Sequence, residues 1–345
     1  MNTTQRDITL DMMKGLGILL LFINHCYPMP WAVRRISMTF LMPMFFLIGG
    51  YLYKPESPTV NIRKSAKRLL LPYLAGTVLV IAVPVWDGVI APLTGLKMIV
   101  SGAGVTQFAC RYWSRWESVG AFWFFPAMFW TRVIFNLIYT RTGRFRYCVL
   151  PLVALAGYLM LRYVVRLPFG MSEGWSAMLF YLFGHGYRKM KEAMPAYGVS
   201  WQRALVWGRR LFVLVSVPMW FWCLANSTIV FGEGYFANHW KDMWAACGMT
   251  CIFGMFCRAV AVYLPRMTRL LAFAGGGSLF MLWIHKVSLH YVFVWPAILG
   301  YMPEMLSGWW IAAFLGLQWV FCLASLMVAS RSSQLKDFFS IYSYC

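Results

Sequence analysis

The sequence predicts an all-α, polytopic membrane protein with about ten transmembrane helices. Three observations predict it. Of 345 residues, 61% are hydrophobic and only 12% charged, against roughly 45–50% and about 25% in soluble domains, and the mean hydropathy is +0.62. Apolar runs of about 20 residues, enough to cross the hydrocarbon of a bilayer, recur along the chain. Basic residues fall in short clusters between those runs. A soluble enzyme, a disordered chain and a disulfide scaffold are excluded, because one soluble core of this size could not bury so much apolar surface.

The runs follow in order. The first, 12–31, comes after a polar segment holding Asp7 and Asp11, and it carries His25. The second, 36–53, contains Pro43 and the Gly49-Gly50 pair. Lys67-Arg68 leads into the third, 69–92, and aromatic residues Phe122 to Phe125 lie near the start of the fourth, 119–139. The fifth, 147–165, follows Arg141, Arg144 and Arg146, and the sixth, 172–188, ends in Gly184-His185-Gly186 and Arg188. Arg209-Arg210 precedes the seventh, 211–231. The eighth, 242–263, holds Cys247, Cys251 and Cys257, without zinc-like spacing. Gly275-Gly276-Gly277 interrupts the ninth, 270–291, as a hinge or a close packing point, and 306–329 is the tenth. The stretch 292–305, broken by Pro296 and Pro303, reads as a short re-entrant or interfacial piece. No soluble domain, repeat or low-complexity linker appears, so 1–345 reads as a single membrane domain.

The net charge is +20, from 31 Lys+Arg against 11 Asp+Glu. Its distribution suggests cytoplasmic loops rather than nucleic-acid binding: positive charge is retained inside. With the N-terminus inside, the segments 54–68, 140–146, 189–210, 264–269 and 330–345 are cytoplasmic and hold much of the basic charge. An even number of spans places both termini in the cytoplasm. The first run has no small-residue cleavage site, so no removable signal peptide is expected.

Ionisable groups inside spans are costly and mark candidate sites. The first run holds the densest set. At 100° per residue, Asp11 to Lys14 is about 300° and Lys14 to His25 about 1100°, so the three share one face, with about 16 Å of axial rise between Lys14 and His25. Gly15 and Gly17 beside them allow close backbone approach. A neutral imidazole suits general-base work near neutral pH. Taken alone, His25 reads equally as a histidine bonded between helices, and Asp11 with Lys14 as an ion pair at headgroup level.

Arg6 followed by Asp11-Met-Met-Lys14-Gly15 and a hydrophobic run closed by His25 resembles the first helix of the acyltransferase family 3 membrane proteins, most of all the sugar O-acetyltransferase branch related to fucose 4-O-acetylases. Further segments match in order: Phe40-Leu-Met-Pro43-Met-Phe45-Phe46-Leu-Ile-Gly49-Gly50-Tyr51, Lys67-Arg68-Leu-Leu-Leu-Pro72-Tyr73, Phe122-Trp123-Phe124-Phe125-Pro126-Ala127, and Ser278-Leu-Phe-Met-Leu-Trp-Ile-His285. Leu41 stands where the family usually has His, Gly49 where it has Ser, and Asn24 replaces the common small residue before His25.

The resemblance implies an integral membrane O-acyltransferase of a bacterial inner membrane that moves an acetyl group from acetyl-CoA, a co-substrate rather than a bound cofactor, to a hydroxyl of a glycan or lipid-linked sugar. It implies a catalytic set of His25, Asp11 and Lys14, donor binding by Arg6 and Arg68, and acceptor contacts by Trp123 and His285, with no metal. Glu117 and Glu173 face outward on this topology, where they read as solvated loop residues or as contacts to a sugar acceptor. A transporter or flippase, or a non-catalytic glycan-binding relative, are the alternatives. No P-loop, His-Glu-x-x-His or Gly-x-Ser-x-Gly pattern competes.

Overall fold

The computed structural model describes residues 7–26, 30–102, 107–108, 115–116, 118–163, 166–227, 229–230, 235–291 and 308–341. Its helices are α1 (Ile8–His25), α2 (Trp31–Met38), α3 (Leu41–Tyr51), α4 (Pro58–Ser65), α5 (Leu71–Trp86), α6 (Pro92–Ser101), α7 (Phe124–Arg141), α8 (Arg146–Tyr163), α9 (Met171–Ala193), α10 (Val199–Asn226), α11 (Trp240–Tyr263), α12 (Pro265–Gly276), α13 (Ser278–Tyr291), α14 (Gly308–Ala329) and α15 (Ser333–Phe339). Two short antiparallel ladders, Gln107–Phe108 with Arg115–Trp116 and Ile229–Val230 with Tyr235–Phe236, are the strands among the described residues.

Every expected run coincides with a helix or a helix pair. Among the described residues, eight helices are long and apolar enough to cross a membrane, or nine if α12 and α13, bent by 74°, make one span. The remaining run forms α9 as expected, but Glu173, His185, Arg188, Lys189, Lys191 and Glu192 make it too polar to join that set. The stretch 292–305 lies outside the described residues.

Some boundaries move for local reasons. The Asp7 carboxylate accepts a hydrogen bond from the Thr9 N–H at 3.0 Å and caps α1, which starts at Ile8 rather than at 12. The helix ends at His25 instead of running to 31, because Pro28 and Pro30 lack the N–H needed to continue it. The third span begins earlier than expected, at Pro58, and passes through a π-helical turn, Ala66–Leu70, before α5.

The chain forms two compact units, residues 1–41 with 250–345, and residues 42–249. Each contains a glycine-dependent helix crossing. In the first, a Cβ on Gly15 would fall on the Leu271 carbonyl and one on Gly275 on the Asp11 carbonyl, so α1 and α12 touch backbone to backbone. In the second, Gly50 lies against the Tyr181 carbonyl and Gly184 against the Leu47 carbonyl, which seats α3 on α9. Small residues serve this purpose in lipid, where apolar side chains gain little by leaving the hydrocarbon and close van der Waals approach drives association. The buried Thr131 hydroxyl is bonded to backbone, its one proton shared between the carbonyls of Gly174 (2.6 Å) and Ala127 (2.9 Å).

Gly50→Ala is expected to lower the thermal midpoint of the detergent-purified protein, in line with an overpacking cost of about 1–3 kcal/mol. Gly186→Ala, where an added Cβ meets nothing within 4 Å, should leave it unchanged. Equal midpoints for the two variants would refute the crossing's role.

Candidate active site

In the first unit, polar side chains line α1 at two levels. Near its start, Lys14 Nζ lies 2.5 Å from Asp11 Oδ1. The Asp11 side chain is 3% exposed and that of Lys14 is 17% exposed. The pair is therefore not the solvated headgroup pair that exposed ions would make. A surface pair contributes about 0–1 kcal/mol, whereas removing one partner of a buried pair costs about 3–5 kcal/mol, because the remaining charge is stranded. Asp11 is buried at the crossing itself: its carbonyl is the atom that Gly275 accommodates.

At the other end of α1, His25 Nδ1 is 3.0 Å from His285 Nε2. The rings are nearly parallel, with centroids 5.2 Å apart and an interplanar angle of 10°. The two differ in surroundings: His25 is exposed, and His285 is 1% exposed. Phe22, one helical turn before His25, stacks on His285 at 4.1 Å and 12°. α13 brings His285 there because the chain bends at Gly277 between α12 and α13. The glycine run thus acts both as hinge, at Gly277, and as packing point, at Gly275.

Asn24, one of the departures from the family pattern, has a partner. Its Oδ1 accepts a 2.6 Å hydrogen bond from Ser37 Oγ, which also approaches the Arg34 carbonyl at 3.1 Å. This ties the end of α1 to α2 beside His25. Leu41, where the family usually has His, is buried at 1% exposure.

The other expected site residues divide as follows. Arg6 lies outside the described residues. Arg68 is half-buried in the π-helical turn between α4 and α5, and such turns recur at functional sites. Trp123 is buried in the short turn before α7, edge-on to Phe124 with ring centroids 6.3 Å apart. Both belong to the second unit. Gly49, in the family's Ser position, would place a Cβ 3.0 Å from the Tyr181 ring. Glu173 is not a solvated loop residue: it lies in the first turn of α9 at 2% exposure, where the positive end of the helix dipole favours a carboxylate. Glu117 lies outside the described residues. No group of three or more His, Cys, Asp or Glu that could hold a metal occurs among the described residues.

A helical membrane domain, with buried charge on its first helix and paired histidines at that helix's end, is compatible with several chemistries. The model for the acyltransferase domain of acyltransferase family 3 matches residues 7–329. The chain belongs to acyltransferase family 3. That span covers α1 through α14, including Asp11, Lys14, His25 and His285, and stops at the last residue of α14. No curated protein and no solved structure matches the chain. Membership and apolar helices together identify a multi-pass membrane acyltransferase. Phe22, Ser37 and the pairing of His25 with His285 escape sequence reasoning. The available signal was weak: Phe22 is three residues before His25 and so shares its face, whereas nothing local links His25 to a residue 260 positions away.

Lys14→Met is expected to destabilise the purified protein by about 3 kcal/mol, because the buried Asp11 carboxylate loses the cation 2.5 Å from it. Asp11→Asn combined with Lys14→Met should recover much of that loss. A double variant no more stable than Lys14→Met alone, in thermal unfolding, would show that the pair is not coupled.

Proposed function

We propose that this membrane acyltransferase transfers an acetyl group from acetyl-CoA to a sugar hydroxyl of a cell-surface or exported glycan, with His25 as general base. The observation that carries the reading is the asymmetric pair at the end of α1. His25 is an exposed residue, and one of its two ring nitrogens, Nδ1, is bonded to a buried partner. A base needs a free nitrogen within reach of the proton it takes and an orienting group behind it.

In the reaction, His25 takes the proton of the acceptor hydroxyl while that oxygen attacks the thioester carbonyl. The new C–O ester bond forms, the C–S bond breaks, and the proton passes from the imidazolium to the departing thiolate. The positive charge that develops on His25 sits in the last turn of α1, where the unpaired carbonyls of a helix end favour a cation by about 0.3–1 kcal/mol. Asp11 and Lys14 support the polar side of α1, and Lys14 with Arg6 offsets anionic groups of the donor. Arg68 binds donor phosphate, for which a planar guanidinium is well suited, and Trp123 contributes to the acceptor site. The protein works in the cytoplasmic membrane of a bacterium with both termini inside, as its basic segments favour. Its partners are an acyl-CoA, a glycan or lipid-linked sugar, and the surrounding lipid, with no nucleic acid and no bound cofactor.

His25→Ala should abolish transfer of label from acetyl-CoA to glycan in membranes, a fall of at least about 100-fold, the lower end of a general base's contribution. Size-exclusion behaviour matching the unmodified protein establishes that the variant folds. Full transfer by a folded His25→Ala variant would sink this reading.

A further inference from the structure

His285 has the position of an orienting group and not of a substrate contact. With 1% of its surface exposed, it offers no face to a sugar or a thioester. One side of its ring is covered by Phe22, stacked at 4.1 Å. Its Nε2 meets one polar side-chain atom among the described residues, His25 Nδ1 at 3.0 Å. Its Nδ1 is buried with no hydrogen-bond partner among the described residues. A buried polar atom without a partner costs stability, and one kept in a structure calls for a role beyond packing. A phenylalanine would stack on Phe22 equally well. What histidine adds at 285 is the single nitrogen aimed at His25.

The bond between the rings contains one proton, and its position decides what His25 can do. If His285 Nε2–H donates, His25 accepts at Nδ1 and carries its own proton on Nε2, the ring nitrogen that His285 does not engage. That form cannot take a proton from a hydroxyl there. If His25 Nδ1–H donates, its Nε2 has a free lone pair and is a base. When Nε2 then takes the acceptor proton, the Nδ1–H bond to His285 persists, so the imidazolium forms without losing its partner.

Resting on the reading of His25 as the base, the geometry points to His285 as a positioning residue that accepts the Nδ1 proton of His25 and holds it in the tautomer whose Nε2 is free. The role differs from the acceptor contact that the sequence resemblance implies. It assigns the bend at Gly277 a purpose, since the bend carries α13 and its buried ring to the end of α1.

Two measurements on the full chain in lipid test this. The first is nitrogen NMR of 15N-histidine-labelled protein, in which the five histidines are resolved by difference against His25→Ala. His25 is expected as the Nδ1–H tautomer, and a resting proton on its Nε2 overturns the proposal. The second is steady-state acetyl transfer. His285→Phe, which keeps the stack on Phe22, should lower kcat at least about 100-fold, as loss of a correctly poised base does, with KM for acetyl-CoA little changed. His285→Gln places an amide near the position of Nε2 and should restore kcat to within about tenfold of the unmodified protein. A His285→Phe enzyme as fast as the parent overturns the proposal while leaving the base reading intact. An active, folded His25→Ala enzyme removes the base reading itself, whatever the spectrum shows. A purely structural role for His285 predicts that Gln does no better than Phe and that the His25 tautomer is the same in all three proteins.

Discussion

The contact between the backbones of α1 and α12 is the constraint from which the candidate site follows. A Cβ on Gly15 would fall on the Leu271 carbonyl of α12, and one on Gly275 on the Asp11 carbonyl of α1. Two helices that meet so closely cannot slide or rotate without a clash, so the crossing fixes the register of α1 on α12. Below that point on α1 lies Asp11 with Lys14, and about 16 Å further along the axis lies His25. Beyond it on the partner side, the chain bends by 74° into α13 and delivers His285. The two histidine rings meet at 3.0 Å because both arms of the bent pair are registered against one helix. A larger residue at 15 or 275 would act on the histidine pair from a distance, through the helix positions alone.

Lipid makes such a device necessary. Between helices in water, burial of leucine and valine drives association at about 25 cal/mol per Å². Between helices in a bilayer that force is nearly absent. Much of the apolar surface here faces outward: Leu211, Leu214 and Phe221 on α10 are each about 60% exposed or more. Specific packing must then come from shape, and glycine crossings supply it in both units. The second unit repeats the arrangement with Gly50 and Gly184. There it sets α3 against α9 beside His185, which the edges of Tyr53, Phe135 and Tyr139 surround.

Much of this was legible in the sequence, and what was not has a physical reason. Period and hydropathy located all ten helical runs, because a run of about 20 apolar residues has few other fates. Angular spacing put Asp11, Lys14 and His25 on one side of α1, and the same residues carried the family resemblance. Ends of helices were less legible: a cap at Asp7 and two prolines after His25 shift α1 toward the N-terminus, so His25 lies in its last turn and not at mid-span. Tertiary facts were not legible at all. Ser37 and Asn24 are 13 residues apart and on different helices, and His25 and His285 are 260 apart. Glu173 looked solvated because a lone acid in a short polar stretch usually is. Its burial depends on α9 starting just before it, at Met171, after a left-handed Gly170.

The departures from the family pattern gain meaning from this arrangement. Leu41 replaces a polar residue and is buried; Gly49 replaces a hydroxyl and sits against the Tyr181 ring. Both changes remove hydrogen-bonding capacity from the start and the end of α3 and leave apolar packing in its place. The Asn24 change works in the opposite sense: it adds an acceptor next to His25 that Ser37 fills. Polar side chains are thereby absent from those two positions of α3, whereas the end of α1 gathers Asn24, Ser37, His25 and His285. There Asn24 anchors the backbone, Phe22 braces the buried ring, and His285 faces His25. The orientation of the His25 ring follows from α13, because its ring contact is the stack and the 3.0 Å nitrogen–nitrogen approach of His285.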